Sequence, residues 1–253
     1  MHDSAGRRAF AANPLTGAAT RRMFLKRAGV GGVAVVGGGA LLGAIAGNAR
    51  AGDSGDGVPD VDVLNFALTL EYLEAEFYTQ ALGGKGTIGV PASTARFDED
   101  QITNNRLLTE IGGRVQRLAY GHLTEIRDHE IAHVDFLRTA LGSAAVRPCT
   151  FDFSSGLSSV TAFFTVARLL ENTGVMAYDG AIRYVDAAAY LQAGAQIATI
   201  EARHASYLNV LHHESPFPDP FDQGKKPSEI YAAAKGFLVS CPPEVVALFG
   251  RLP

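Results

Sequence analysis

Asp128-His129-Glu130-Ile131-Ala132-His133-Val134 and Ile200-Glu201-Ala202-Arg203-His204-Ala205 decide how this chain reads. Each stretch holds a Glu-x-x-His pair amid apolar neighbours, Ile131 and Val134 in the first, Ile200 and the preceding Ile197 beside the second. On a helix, residues three apart sit about 60° apart around the axis, so a Glu and a His so spaced share one face. With 12 Glu and 7 His in 253 residues, chance supplies only about a third of one such pair, so location must strengthen the signal.

Upstream, Leu64, Ala67, Leu68, Glu71, Glu74, Ala75 and Tyr78 recur at three- and four-residue spacing between Pro59-Asp60 and Gly83. That is an amphipathic helix with a start and a stop. A second helix is predicted from about Arg106 to Leu141, with Gly112-Gly113 bending it or marking its true start. Pro148 and Gly/Ser/Thr residues make Gly142 to Ser155 a long connection. Ser158 or Ser159 caps a third helix to about Tyr184, and a fourth runs from Ala188 to His212 before Pro216, Pro218 and Pro220. Pro227-Ser228 begins a shorter terminal helix. With no clear alternating strand pattern, the fold class is all-α. It reads as a four-helix bundle over residues 60–213, with a long crossover between helices 2 and 3. Residues 214–253 form a C-terminal helical extension packed on its outside.

The helices carry a repeating scheme. Glu71 precedes Tyr78 by seven residues, and Glu171 precedes Tyr178 by seven. Seven residues are nearly two turns, so each Tyr falls on the face of its Glu. The order is Glu-x6-Tyr helix, Glu-x-x-His helix, then both again. Four carboxylates converging in a bundle core repel one another and are costly to desolvate. Two divalent cations cancel four such charges, and two neutral imidazoles complete their surroundings. Carboxylate with imidazole suits iron or manganese, without thiolates. His129-Glu130-Ile131-Ala132-His133 also matches the H-E-x-x-H of zinc proteases. That reading leaves the second Glu-x-x-His and its companion acids unexplained. In a bundle, His129 lies about 100° from Glu130 and falls outside the ligand set.

LNFALTLEYLEAEFYTQAL (64–82), DHEIAHVDFL (128–137), RLLENTGVMAYDGAI (168–182) and IEARHASYLNVL (200–211) together resemble the ferritin-like superfamily of carboxylate-bridged di-iron bundles. More narrowly they resemble the ferritin-like domain family that includes plant desiccation-related proteins and their bacterial relatives. The resemblance implies that Glu130 and Glu201 bridge two metals, with Glu71 and Glu171 as terminal carboxylates and His133 and His204 as nitrogen ligands. Glu74, one turn from Glu71, is an alternative or additional ligand. Tyr78 and Tyr178 become hydrogen-bond partners of the ligands, radical traps, or ordinary core aromatics. The implied chemistry is oxidation of Fe(II), or reaction with dioxygen or peroxide in stress protection. The competing reading is a desiccation- or stress-associated structural protein, in which metal mainly steadies the fold.

The formal net charge of -4 averages two unlike parts. Seven of the 22 bases and one of the 26 acids fall in residues 1–51, which leaves a body of net -10. So acidic a body suits neither nucleic acid nor an anionic membrane. Within residues 1–51, Arg21-Arg22 precede a glycine-diluted apolar run and Ala49-Arg50-Ala51. This resembles a twin-arginine export signal, with residues 52–59 as linker, and places the mature chain in the periplasm, the cell envelope or outside the cell. A retained anchor is the alternative, weakened by eight glycines between Gly29 and Gly47. Cys149 and Cys241, the two cysteines, either pair after export or remain buried thiols. Homo-oligomerisation stays open, although the tail would obstruct a storage cage.

Overall fold

The computed structural model describes residues 57–253. The export-signal reading over 1–51 and the linker up to residue 56 lie outside the described residues. The fold is predominantly helical. Helix α1 spans Asp60–Leu82, α2 Glu99–Thr103, α3 Arg106–Ile111 and α4 Gly113–Leu141. After the crossover come α5 (Val160–Ala181), α6 (Ala188–Leu211), α7 (Pro227–Ala234) and α8 (Pro243–Arg251). The four long helices α1, α4, α5 and α6 build the bundle. Helix α1 packs chiefly on α4, α5 on α6, and α1 also meets α5. No helix among the described residues is long and apolar enough to cross a membrane.

Local chemistry sets the helix ends. Gly112 has a φ of 65°, a left-handed conformation that side chains resist, so the predicted second helix divides into α3 and α4 there. Ser159 caps α5, its hydroxyl accepting from the Ala162 N–H at 3.1 Å. Helix α6 has no cap of its own. The buried Asp60 supplies acceptors from the start of α1, taking the N–H groups of Asp186 at 2.8 Å and Ala187 at 3.0 Å. One acid thus opens α1 and satisfies donors at the start of α6.

The crossover is anchored rather than loose. Asn65 is buried on α1 and brackets it, donating to the Ala144 carbonyl at 3.0 Å and accepting from the Val146 N–H at 2.9 Å. Strand β1 (Thr150–Phe151) pairs antiparallel with β2 (Leu238–Ser240) from the tail. Beside this pairing Cys149 and Cys241 form a disulfide. The tail also buries Ile230, Val245 and Leu248, sets Phe249 edge-on to Phe66, and pairs Arg251 with Asp62 through two 2.8 Å contacts. Helices α2 and α8 and the small sheet went unpredicted. The Asp98 and Gln101 capping box of α2 and Pro243 in the first turn of α8 were legible signals.

Candidate metal centre

The bundle axis is crowded with acid. Glu71, Glu74, Glu130, Glu171 and Glu201 are all buried, as is His204, while His133 is partly exposed. Two groups stand out among the described residues, each offering ligand atoms within 4.8 Å of one another. One comprises Glu71, Glu130, His133 and Glu201; the other comprises Glu130, Glu171, Glu201 and His204. Glu130 and Glu201 belong to both. Each of the four long helices therefore contributes, α1 and α5 with one acid and α4 and α6 with a Glu-x-x-His pair.

The inward nitrogens are the Nδ1 atoms. His133 Nδ1 lies 3.1 Å from Glu71 Oε2, 3.1 Å from Glu130 Oε2 and 3.4 Å from Glu201 Oε1. His204 Nδ1 lies 2.9 Å from Glu130 Oε1 and 3.1 Å from Glu171 Oε2. The tyrosines cross between helices instead of serving the acid on their own. Tyr78 donates to Glu171 Oε1 at 2.7 Å, and Tyr178 donates to Glu71 Oε1 at 2.5 Å. Each outer acid is thus steadied by a hydroxyl from the other half of the bundle.

Glu74 falls in neither group. It sits by Gly174, where a Cβ would stand 2.6 Å from Glu201 Oε2 and 3.3 Å from Glu74 Oε1. His129 likewise falls in neither group; it is exposed and meets the outer nitrogen of His204. It does not join His133 in a shared metal-ready group, as a zinc site built on H-E-x-x-H requires.

Burial and mutual repulsion shift the acids and histidines of this cluster strongly. Burial raises Glu71 to about 7, against the opposing pull of His133. Burial also drives Glu201 and Glu74 well above the usual carboxylate range, and the surrounding acids push them further. Burial alone would raise Glu130, but His133 and His204 outweigh it and hold this carboxylate ionised. Burial would lower His204, yet Glu130 and Glu171 bring it up to about 10. Acids packed this closely in a buried core call for positive charge among them.

The residues fit a divalent ion. Glu201 Oε2 is buried with no hydrogen-bond partner among the described residues, while Glu130 Oε1 and Glu201 Oε1 are faced by the Nδ1 atoms of His204 and His133. Orphaned acceptors of this kind are costly in a dry core unless a cation takes them. Two imidazole nitrogens with carboxylate oxygens and no thiolate are a donor set for iron or manganese rather than for a thiolate-bound metal. A narrow apolar cavity of about 40 Å³ lies one turn away, with Phe136, Tyr178 and Ile197 in its wall. A larger groove, about 930 Å³, runs along α5, α6 and the tail and is lined by none of these candidate ligands.

A family model described as a ferritin-like domain matches residues 59–214. The chain belongs to the ferritin-like domain family. No curated protein matches it. The matched span of this ferritin-like chain includes every residue of both metal-ready groups.

Proposed function

We propose that this ferritin-like protein holds two iron or manganese ions, bridged by Glu130 and Glu201, and works as a di-metal oxidase or peroxidase in stress protection. The sharing of Glu130 and Glu201 by both four-residue groups carries this reading. Glu71 and His133 complete one position, and Glu171 and His204 the other. Bound there, the ions would supply redox chemistry toward Fe(II), dioxygen or peroxide. The chain's own residues orient and insulate. Tyr178 and Tyr78 hold the outer carboxylates through their hydroxyls, and the surrounding helices keep bulk water from the buried carboxylates of Glu130 and Glu201. Glu74 falls in neither group and stays an additional candidate ligand; burial and the neighbouring acids push its carboxyl well above the usual carboxylate range.

Export belongs to the same proposal. Arg21-Arg22 and the apolar run after them support a twin-arginine route. The Cys149–Cys241 disulfide supports an oxidising destination.

The test is metal analysis of the purified mature protein, followed by stopped-flow mixing of its reduced form with O2 and with H2O2. Two ions per chain with rapid oxidation is the expected result. Two ions without reaction would make the metal a structural element of a stress-associated protein. A chain that binds no metal overturns the proposal.

A further inference from the structure

His129 is exposed, precedes Glu130, and has no place in the ligand set. Its Nδ1 nevertheless lies 2.9 Å from Nε2 of His204. The two rings are nearly parallel, at 11°, with centroids 5.2 Å apart. Nδ1 of His204 faces Glu130 and Glu171 and is the atom directed at the metal position. Its hydrogen therefore belongs on Nε2 when an ion is bound, and Nε2 donates to Nδ1 of His129. An imidazole whose outer N–H is so engaged is fixed in tautomer and ring orientation and is a better ligand.

The other histidine lacks this support. Nε2 of His133 has no hydrogen-bond acceptor among the described residues; its ring is held through Nδ1. The residue before Glu201, matching His129 in the repeated Glu-x-x-His pattern, is Ile200, which offers no polar atom. One imidazole is thus gripped from both sides and the other from one.

We infer that His129 is a positioning residue that pins His204 and makes the His204 metal position the tighter of the two. The inference rests on the two-ion reading above and adds an order of loading: the ion bounded by Glu130, Glu171, Glu201 and His204 arrives first. His129 itself binds no metal; it acts through the ring it holds.

Cobalt(II) titration of the metal-free full-length protein tests this, read by chelator competition and by the visible absorption of the bound ion. The wild type is expected to bind in two resolved steps. His129→Ala should weaken the tighter step by about 10- to 100-fold, the range seen when such outer partners are removed. Its cobalt spectrum should change as the ring loosens. His129→Asn should restore the tight step, because its carboxamide oxygen can stand where Nδ1 stood. His129→Leu should not, although it fills similar space. Because His129 is exposed, unchanged circular dichroism and thermal midpoint of the metal-free variants will show that the fold is intact. Two equal sites in the wild type, an unaltered His129→Ala titration, or equal behaviour of the Asn and Leu variants would overturn this assignment alone. A wild type that takes up no cobalt would overturn both this assignment and the two-ion reading.

Discussion

The α1–α4 half of the bundle and the α5–α6 half carry the same candidate ligands in the same order, yet they are not interchangeable. Glu71 matches Glu171, Tyr78 matches Tyr178, Glu130 matches Glu201, and His133 matches His204. The mismatches sit beside these pairs. Three residues after Glu71 comes Glu74; three after Glu171 comes Gly174. Before Glu130 comes His129; before Glu201 comes Ile200. Both additional polar groups therefore belong to the first half. The second half supplies the space: Gly174 lies where a Cβ would meet Glu201 and Glu74. A symmetric frame can thus hold an asymmetric centre, because the ligands repeat while the residues next to them differ.

The strongest way to break this comparison is to separate shared ligands from unshared ones. Glu130 and Glu201 serve both groups, whereas Glu71 and Glu171 serve one each. Glu130→Ala or Glu201→Ala is expected to reduce bound metal from two ions to none, whereas Glu71→Ala or Glu171→Ala should leave one. Elemental analysis of the purified variants checks this. Equal losses from all four would mean that the halves do not share their ions.

The disulfide is a different kind of link between the halves, joining the crossover that follows the first to the tail that follows the second. It closes a separation of 92 residues. Cys241→Ser should therefore cost about 2–5 kcal/mol in urea unfolding. Metal stoichiometry should hold, since the bond is remote from the ligands in sequence and lies on the outer sheet. Loss of metal at unchanged stability would show that the tail shapes the centre directly.

The Glu74 and Gly174 mismatch can be sharpened next. Gly174→Ala gives α5 a better helix former, worth about 0.5–1 kcal/mol to the metal-free fold. It also forces the Glu201 carboxylate to move, because the added Cβ would stand 2.6 Å from Oε2. Cobalt affinity should drop about tenfold while the metal-free thermal midpoint does not fall. Glu74→Gln, outside both groups, should leave two ions bound.

The smallest difference concerns the crossed tyrosines. Tyr78→Phe and Tyr178→Phe each remove one hydrogen bond to a buried carboxyl, at about 1–3 kcal/mol. Matching losses in chemical denaturation would show equivalent outer carboxylates. A larger loss for Tyr178→Phe would single out Glu71 as the more dependent acid.

Much of this centre was legible because it is local. Glu130 with His133 and Glu201 with His204 share helix faces by spacing alone, and flanking isoleucines and valines mark those faces as inward. The outer acids Glu71 and Glu171 followed from the repeated scheme. What stayed open was where equally good local candidates compete. Glu71 and Glu74 lie one turn apart on one helix, and no spacing rule says which meets the histidine of another. The tyrosine geometry was harder still. A seven-residue interval puts Tyr78 near the face of Glu71, but its hydroxyl lies a full ring's length from its own backbone and reaches Glu171.

By itself, then, the sequence determined an all-α chain of four long helices, the two Glu-x-x-His faces and the candidate residues they carry. All of these follow from periods of three to seven residues within single helices. Tertiary structure alone decided that Glu130 and Glu201 stand in both groups, that each tyrosine holds the other half's acid, that Glu74 falls in neither group, and that His129 meets His204. Each of those depends on how far one helix stands from another. That distance comes from packing along the whole bundle and from small residues such as Gly174, and no local period encodes it.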